Sequence, residues 1–454
     1  MNHTSPLHIT FILFGFLGLI LLEILLLLLS NQYGMSYLVL GIFAAIALAF
    51  LLMNPFYSMM FNLFVLFCGL GLGFSIPYGF FAVVAITGLA WIVDQTVHMK
   101  FSIRWDGQFL LVLALLSVML LSGLFGYDLK VTLASLLYFM KLALLYFLII
   151  QLVQSKTHLK MAVFIMIAAT FTSLFAGILG YFTPLPFLGQ VDQGFRLRGF
   201  TGQPNVLALH LLIIFPILVL YLFRGTNTYL KGLMGALVFL ALLGLLGTFS
   251  RAGLLSLGAV ILGVLFVLRS NRWLLFTALL AFVIILFLIP DIIWERILSI
   301  KDFAQDPSLR WRAKAWIGAF DLFLKNPILG IGMGNFVFVS HTIVSIHMSA
   351  HNTFLELAAE TGIVGLGIFL GFFLSNLYHL YHSQKIFFKL NEKELGTFCQ
   401  ALLVSVSGIV VFSIFHSVQA YFVYWALVAL GASFYLYARQ LEASRELAGN
   451  NKPV

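Results

Sequence analysis

Apolar runs and short polar breaks alternate along the whole chain. The runs lie near 9–30, 35–53, 57–74, 77–94, 108–126, 132–153, 160–182, 204–223, 231–249, 252–269, 272–290, 352–380, 397–416 and 420–438. Most approach the roughly 20 residues that a helix needs to cross a bilayer. None alternates apolar with polar positions as a barrel strand does. Such runs satisfy their backbone groups in lipid only as helices. The pattern predicts an all-α polytopic membrane protein with 12–14 transmembrane helices. The lower count applies if the short runs between 35 and 94, parted only by Asn54–Phe56 and Ser75–Ile76, include broken or merged spans. The first run is longer than the apolar part of a cleavable signal, and no Lys or Arg precedes it, so it reads as a retained span.

Composition narrows the class. Only 9% of residues are charged and 62% are apolar. A soluble domain carries about 25% charged residues, so a soluble globule is excluded, as is a disordered chain. Cys68 and Cys399 both lie inside apolar runs, so neither a disulfide framework nor a cysteine metal motif is present. A net charge of +9 would suggest nucleic acid in a soluble protein. Here it reflects Lys and Arg gathered in cytoplasmic connections, and no nucleic-acid partner is expected.

Placing the connection with Lys385, Lys389 and Lys393 in the cytoplasm sets the topology. Alternation then puts Lys100/Arg104, Lys156/Lys160, Arg224/Lys231 and Arg269/Arg272 on that side, together with both termini. The opposite, outer face receives two long connections, 183–204 and 291–351. The expected organisation is a membrane scaffold over 1–182, a second transmembrane region over 183–438, and a cytoplasmic tail over 439–454. Within 291–351, Ser308 to Lys325 mixes apolar and basic residues at helical spacing. It predicts an interfacial helix with Trp311, Trp316, Ile317, Phe320 and Phe323 on the membrane surface. Asn326–Pro327 ends it, and Gly330, Gly332 and Gly334 follow in a tight or flexible segment. That G-I-G-M-G cluster follows no strand and has the wrong spacing for a dinucleotide loop.

Candidate chemistry sits at the few costly polar positions. Arg251, in GTFSRAGLL, lies between two apolar runs on the outer side. A snorkelling cation explains it less well there than a ligand contact does. Arg196 and Arg198 stand in GFRLRGFTGQPN just before a span, where backbone donors and bidentate cations favour a phosphate; headgroup contact explains either one equally well. Arg310, Arg312 and Lys314 alternate with tryptophans, a pattern that also binds lipid headgroups. Arg312 and Trp316, four residues apart, share a helix face.

His341, His347 and His351 invite a metal reading, but no Asp, Glu or Cys lies between them. No metal and no cofactor is expected. His351–Asn352 opens the next span. A neutral imidazole at a helix start suits a general base, and helix capping is the plainer alternative. Glu356 and Glu360 follow one turn apart on one face. They are too costly to face lipid, and are free to pair with Arg251 or Arg312, to orient His351, or to serve proton-coupled transport. Glu23 and Lys141 are lone intramembrane charges that can pair with each other.

From His351–Asn352, nine residues lead to Gly362-Ile363-Val364-Gly365. With Arg312 one turn ahead of Trp316, the stretch NPILGIGMGNF, and the earlier SRAG and RGFTGQPN segments, this order resembles the O-antigen ligase/polymerase superfamily of bacterial envelope enzymes. The resemblance covers about 195–437, and the first half of the chain matches only as an apolar scaffold. It implies a metal-independent, inverting glycosyltransferase of the type C class in the bacterial inner membrane, with its active site on the periplasmic face. The implied donor is a glycan on undecaprenyl diphosphate. The acceptor is a sugar hydroxyl of lipid A-core in the ligases, or another lipid-linked glycan in the O-antigen or exopolysaccharide polymerases. By resemblance His351 is the base, Arg251 and Arg312 hold the diphosphate, and Arg198 is a weaker contact. Arg310, Arg196, Asn352, Glu356 and Glu360 are possible supports, and membrane lipids complete the partners. The competing class is a flippase or transporter of lipid-linked glycan. It needs the same cations but no base, and it should carry charge near the midplane with access from both sides. The gathering of these residues on one face favours the enzyme.

Overall fold

The computed structural model describes residues 46–70, 79–99, 102–182, 196–225, 227–270, 272–273, 275–276, 280, 307–344 and 347–450. The expected span at 9–30 with Glu23, most of those at 35–53 and 272–290, and the connection residues 183–195 and 291–306 lie outside them. The helices are α1 (Ile46–Met53), α2 (Pro55–Cys68), α3 (Gly79–Val97), α4 (Gly107–Leu124), α5 (Leu129–Leu152), α6 (Lys156–Phe182), α7 (Pro204–Arg224), α8 (Thr228–Gly247), α9 (Arg251–Leu268), α10 (Pro307–Lys325), α11 (Asn335–Val344), α12 (Thr353–Lys389), α13 (Lys393–Phe415) and α14 (Phe422–Asn450). Among the described residues nine helices are long and apolar enough to cross a membrane, and no strand occurs. The chain is an all-α polytopic membrane protein. α1 and α2 meet at a 117° bend, so the short runs near Asn54 do form a broken pair.

α7 is the central helix. It is buried along nearly its whole length and packs against α6, α8, α9 and α13. α8 shows much more apolar surface, with Phe239 and Leu243 exposed as expected of a lipid-facing helix. A second focus forms where α12 packs against α4, α13 and α14 around Phe372, Tyr424 and Trp425.

The cations expected on one side do gather at one end of the bundle. Lys156 pairs with Glu392 at 2.6 Å, Lys160 with Glu394, and Lys389 with Glu442 at 3.2 Å. Arg104 and Arg224 donate to Gln440 and Gln400 at the same end. Lys141 lies 3.6 Å from the Phe81 ring centroid, and its suggested partner Glu23 is outside the described residues.

At the opposite end the described part of the long connection, 307–344 and 347–351, is folded. The interfacial-helix segment is α10. Ala315 and Ala319 bury its small-residue face, while Ile317, Phe320 and Leu324 form an exposed apolar stripe. After Asn326 the chain crosses α12 where that helix is broken. Gly362 has φ 65° and ψ −167° inside α12, which takes its neighbours out of the helical hydrogen-bond ladder. The crossing segment replaces those bonds. Ile331 N–H donates to Ala359 O and Gly332 N–H to Glu360 O, both at 2.9 Å, and Ile363 N–H donates back to Pro327 O at 2.8 Å. Non-helical backbone next to lipid survives only where protein satisfies it in this way.

The Gly-x-x-Gly part of the motif is therefore architecture. A Cβ at Gly362 would collide with the Ile328 carbonyl, in a left-handed conformation besides. Gly362→Ala should destabilise the fold by about 2 kcal/mol or more, read as a lower unfolding temperature in detergent. Gly367→Ala, with open space around its position, should be neutral. Equal melting of the two variants would refute this account of the break.

Candidate active site

The start of α12 is pinned on both sides of His351. Asn352 caps the helix, its side-chain oxygen accepting from Phe354 N–H and Leu355 N–H at 3.0 Å. Ala350 N–H donates to Glu356 Oε2 at 2.7 Å, and Ala350 O accepts from Trp316 Nε1 at 2.9 Å. Between these anchors His351 takes φ +50°, a left-handed conformation uncommon for a residue with a Cβ. Such a conformation costs of order 1–3 kcal/mol and persists only when the surroundings impose it. The imidazole is half-buried. Its Nδ1 is buried without a hydrogen-bond partner, which leaves Nε2 for an incoming group. Burial first, and then the Arg312 charge, push the His351 pKa down to about 4, so the ring is neutral near pH 7.

Arg312 and Trp316 do share the inward face of α10. Arg312 donates to Phe415 O at 3.4 Å, and the Trp316 ring lies 6.3 Å from that of Phe415. The membrane-surface position expected for Trp316 is thus corrected, because its indole N–H is spent on the Ala350 carbonyl. Trp311, Ile317 and Phe320 are exposed as expected, whereas Phe323 is half-buried. Arg310 and Lys314 are exposed and point away from the Arg312 face.

A group that sequence reading passed over completes this corner. The connection between α13 and α14, His416-Ser417-Val418-Gln419, closes on the first turn of α12. Thr353 Oγ1 donates to His416 O and accepts from Val418 N–H, both at 2.9 Å. Ser417 Oγ donates to Glu356 Oε2 at 2.6 Å, and Gln419 Nε2 to Glu356 Oε1 at 2.9 Å. The His416 ring meets that of His351 edge to face at 5.3 Å. The available signal was a His and a Gln in a short connection whose place in the alternation is on the outer side.

The two glutamates hold loops. Glu356 ties the His351 and His416 segments together. Glu360 Oε1 accepts from Phe336 N–H at 3.0 Å at the start of α11, and its Oε2 is buried without a partner. The suggested pairing with Arg251 or Arg312 is not formed, because the carboxylate bonds go to these backbone and amide donors.

The other two arginine segments form one assembly. Arg196 Nε donates to Thr248 O at 3.1 Å, and Leu197 N–H to Gly247 O at 2.8 Å. Ser250 Oγ donates to Asn205 Oδ1 at 2.7 Å and accepts from Gly253 N–H, which caps α9 directly before Arg251. Arg198 ends this strand-like stretch and precedes the one-turn helix Gly199–Thr201. Contacts of Gly263 with Val404 and of Gly408 with Val260 set α9 antiparallel to α13. Counting about 1.5 Å per residue from there, Arg251 and His416 reach the same level at the same end of the bundle.

His341 lies on α11 and stacks on His347 at 5.0 Å. His351 contacts His416 instead. Among the described residues no three His, Cys, Asp or Glu side chains converge as metal ligands would.

These residues can be compared with known families. Residues 236–370 match the family described as O-antigen ligase. Over these residues the chain is similar to the O-antigen ligases. No curated protein matches the chain. The O-antigen ligase match spans Arg251, α10, the Gly330–Gly334 crossing, His351 and Gly362. The Arg196–Asn205 segment and the His416–Gln419 connection lie outside it. The match supports ligase- or polymerase-type glycan transfer on lipid-linked substrates.

Proposed function

We propose that this enzyme transfers a glycan from undecaprenyl diphosphate to a sugar hydroxyl at the periplasmic face of the bacterial inner membrane, and that the acceptor is lipid A-core. The observation that carries this reading is the fixed imidazole of His351, neutral and offering Nε2, with the Arg312 guanidinium beside it on the ligand-facing side of α10.

In the transfer, the acceptor hydroxyl oxygen attacks the anomeric carbon from the face opposite the diphosphate. Its proton passes to His351 Nε2. The bond between the anomeric carbon and the bridging oxygen breaks, and that oxygen leaves with the electron pair on the lipid diphosphate. Cations set before the reaction starts stabilise the growing negative charge. Arg312 and Arg251 supply it, with Arg198 in the neighbouring assembly as a weaker contact, and Arg196, Asn352, Glu356 and Glu360 as supports of the geometry. The exposed Arg310 contributes at the membrane surface. The exposed stripe of α10 borders the lipid from which a polyprenyl tail enters.

A glycan polymerase performs the same chemistry on a second lipid-linked acceptor, so the acceptor is the quantity to test. Purified enzyme in vesicles should be given a defined lipid-linked glycan with either lipid A-core or a second lipid-linked glycan. Transfer to lipid A-core with inversion at the anomeric carbon is the expected result. Chain extension alone would make it a polymerase, and movement of the donor across the bilayer without transfer would make it a flippase. Excess chelator should leave turnover intact, because the reading needs no metal. Loss of activity that one divalent ion restores would overturn that part.

A further inference from the structure

The proposed reaction uses one face of the His351 corner. The other face is made by His416, which lies outside the family match and is fully enclosed. Its ring stacks parallel on Phe412 at 5.4 Å and leans on Tyr421 at 5.5 Å. No hydrogen bond joins it to His351, and its Nδ1 is buried with no partner. A ring built into a relay would carry a donor or acceptor at that nitrogen. The backbone of this residue is also fixed, because its carbonyl is bonded by Thr353 and the next residue by Glu356. Thus Glu356 anchors both the segment that carries the aromatic wall and the segment that carries the base.

We propose that His416 is a positioning residue for glycan transfer: wedged between Phe412 and Tyr421, its ring holds the His351 imidazole edge to face so that Nε2 is presented to the acceptor hydroxyl. The inference rests on His351 being the base. Edge-to-face aromatic contacts contribute about 0.5–1.5 kcal/mol beyond buried area, which converts to about two- to tenfold in rate when only the productive orientation depends on them.

Among the described residues the titratable and charged groups around the pair are Arg312 from α10, Glu356 from α12, Tyr421 ahead of α14, and Tyr138 from α5, whose hydroxyl donates to Ala420 O. Burial, then His351 and Arg312, hold the His416 pKa at about 3, so it carries no charge against the imidazolium formed on its neighbour.

The test compares His416→Phe with His416→Leu in the full-length enzyme, reading kcat, KM for the lipid-linked donor, and the pH profile. An aromatic wall predicts that Phe keeps kcat and the acid limb, whereas Leu lowers kcat about two- to tenfold at unchanged donor KM. Equal kcat in Phe, Leu and wild type overturns the proposal. Equal losses in Phe and Leu overturn it too, and assign the function to the ring nitrogens. If Leu fails to fold, the Phe variant alone decides, because a large kcat loss or a moved acid limb in that variant is incompatible with an aromatic wall. His351→Ala, assayed alongside, separates this outcome from failure of the base assignment: it must lose turnover whatever the His416 variants do.

Discussion

His351→Ala should bind the lipid-linked donor as wild type does and lose turnover by about 10²–10⁴-fold, the usual share of general-base catalysis. The side chain contributes nothing to the cap of α12, which belongs to Asn352, so the helix start survives its removal. Alanine also accepts the left-handed backbone poorly, and His351→Asn, which tolerates that conformation, is the matched control for strain. Both variants should be equally inactive. His341→Ala and His347→Ala, on the separate stacked pair, should change little. The free enzyme should keep its base form well below the ordinary histidine range, because burial and Arg312 hold the pKa at about 4. Bound diphosphate neutralises part of the Arg312 charge. The acid limb of kcat should therefore lie above that of kcat/KM. Near wild-type transfer by a folded, donor-binding His351→Ala protein would end the base assignment.

Arg312→Ala should lower kcat/KM by about 10²–10³-fold, the scale of losing one preorganised group that stabilises developing negative charge. Lysine should restore only part of it, because a point charge does not reproduce bidentate contact with a diphosphate. The same substitution removes a charge that depresses His351, so its acid limb should move to higher pH. Arg310→Ala, at an exposed position facing away from that side of α10, should have little effect. Donor binding and transfer should be measured separately for each variant. Equal losses at Arg310 and Arg312 would replace a specific diphosphate contact with a general effect of surface charge. Arg251→Ala belongs to the same test, and is expected to weaken donor binding together with departure of the leaving group.

Much of this was legible in the residue pattern because bilayer physics leaves few choices. The long apolar runs could only be helices, and basic connections mark one end of the bundle. α10 was readable because its apolar and basic residues repeat at helical spacing. The inward turn of Trp316 was not. It depends on which side finds a backbone acceptor, and Ala350 is 34 residues away. The glutamates were recognised as costly, but their partners Ser417 and Gln419 lie more than sixty residues along the chain. Gly362 appeared as one letter of a motif, while its reason, a carbonyl of Ile328 crossing the helix, exists only in three dimensions. His416 escaped because it is neutral and sits in no charged or glycine-rich segment.

The grip of Glu356 on Ser417 and Gln419 has a consequence for how the enzyme is made. Membrane helices are inserted in the order of synthesis, and segments made early fold before those that follow. His351 and Arg312 emerge before α13 and α14 exist. Until those last helices are in the membrane, the Glu356 carboxylate lacks two of its three donors and the His351 ring lacks its neighbour. On the proposed roles, a nascent chain therefore carries both side chains before the geometry they need exists. On the same proposal, competence arrives with α13 and α14, which makes insertion of that hairpin the step that completes the site.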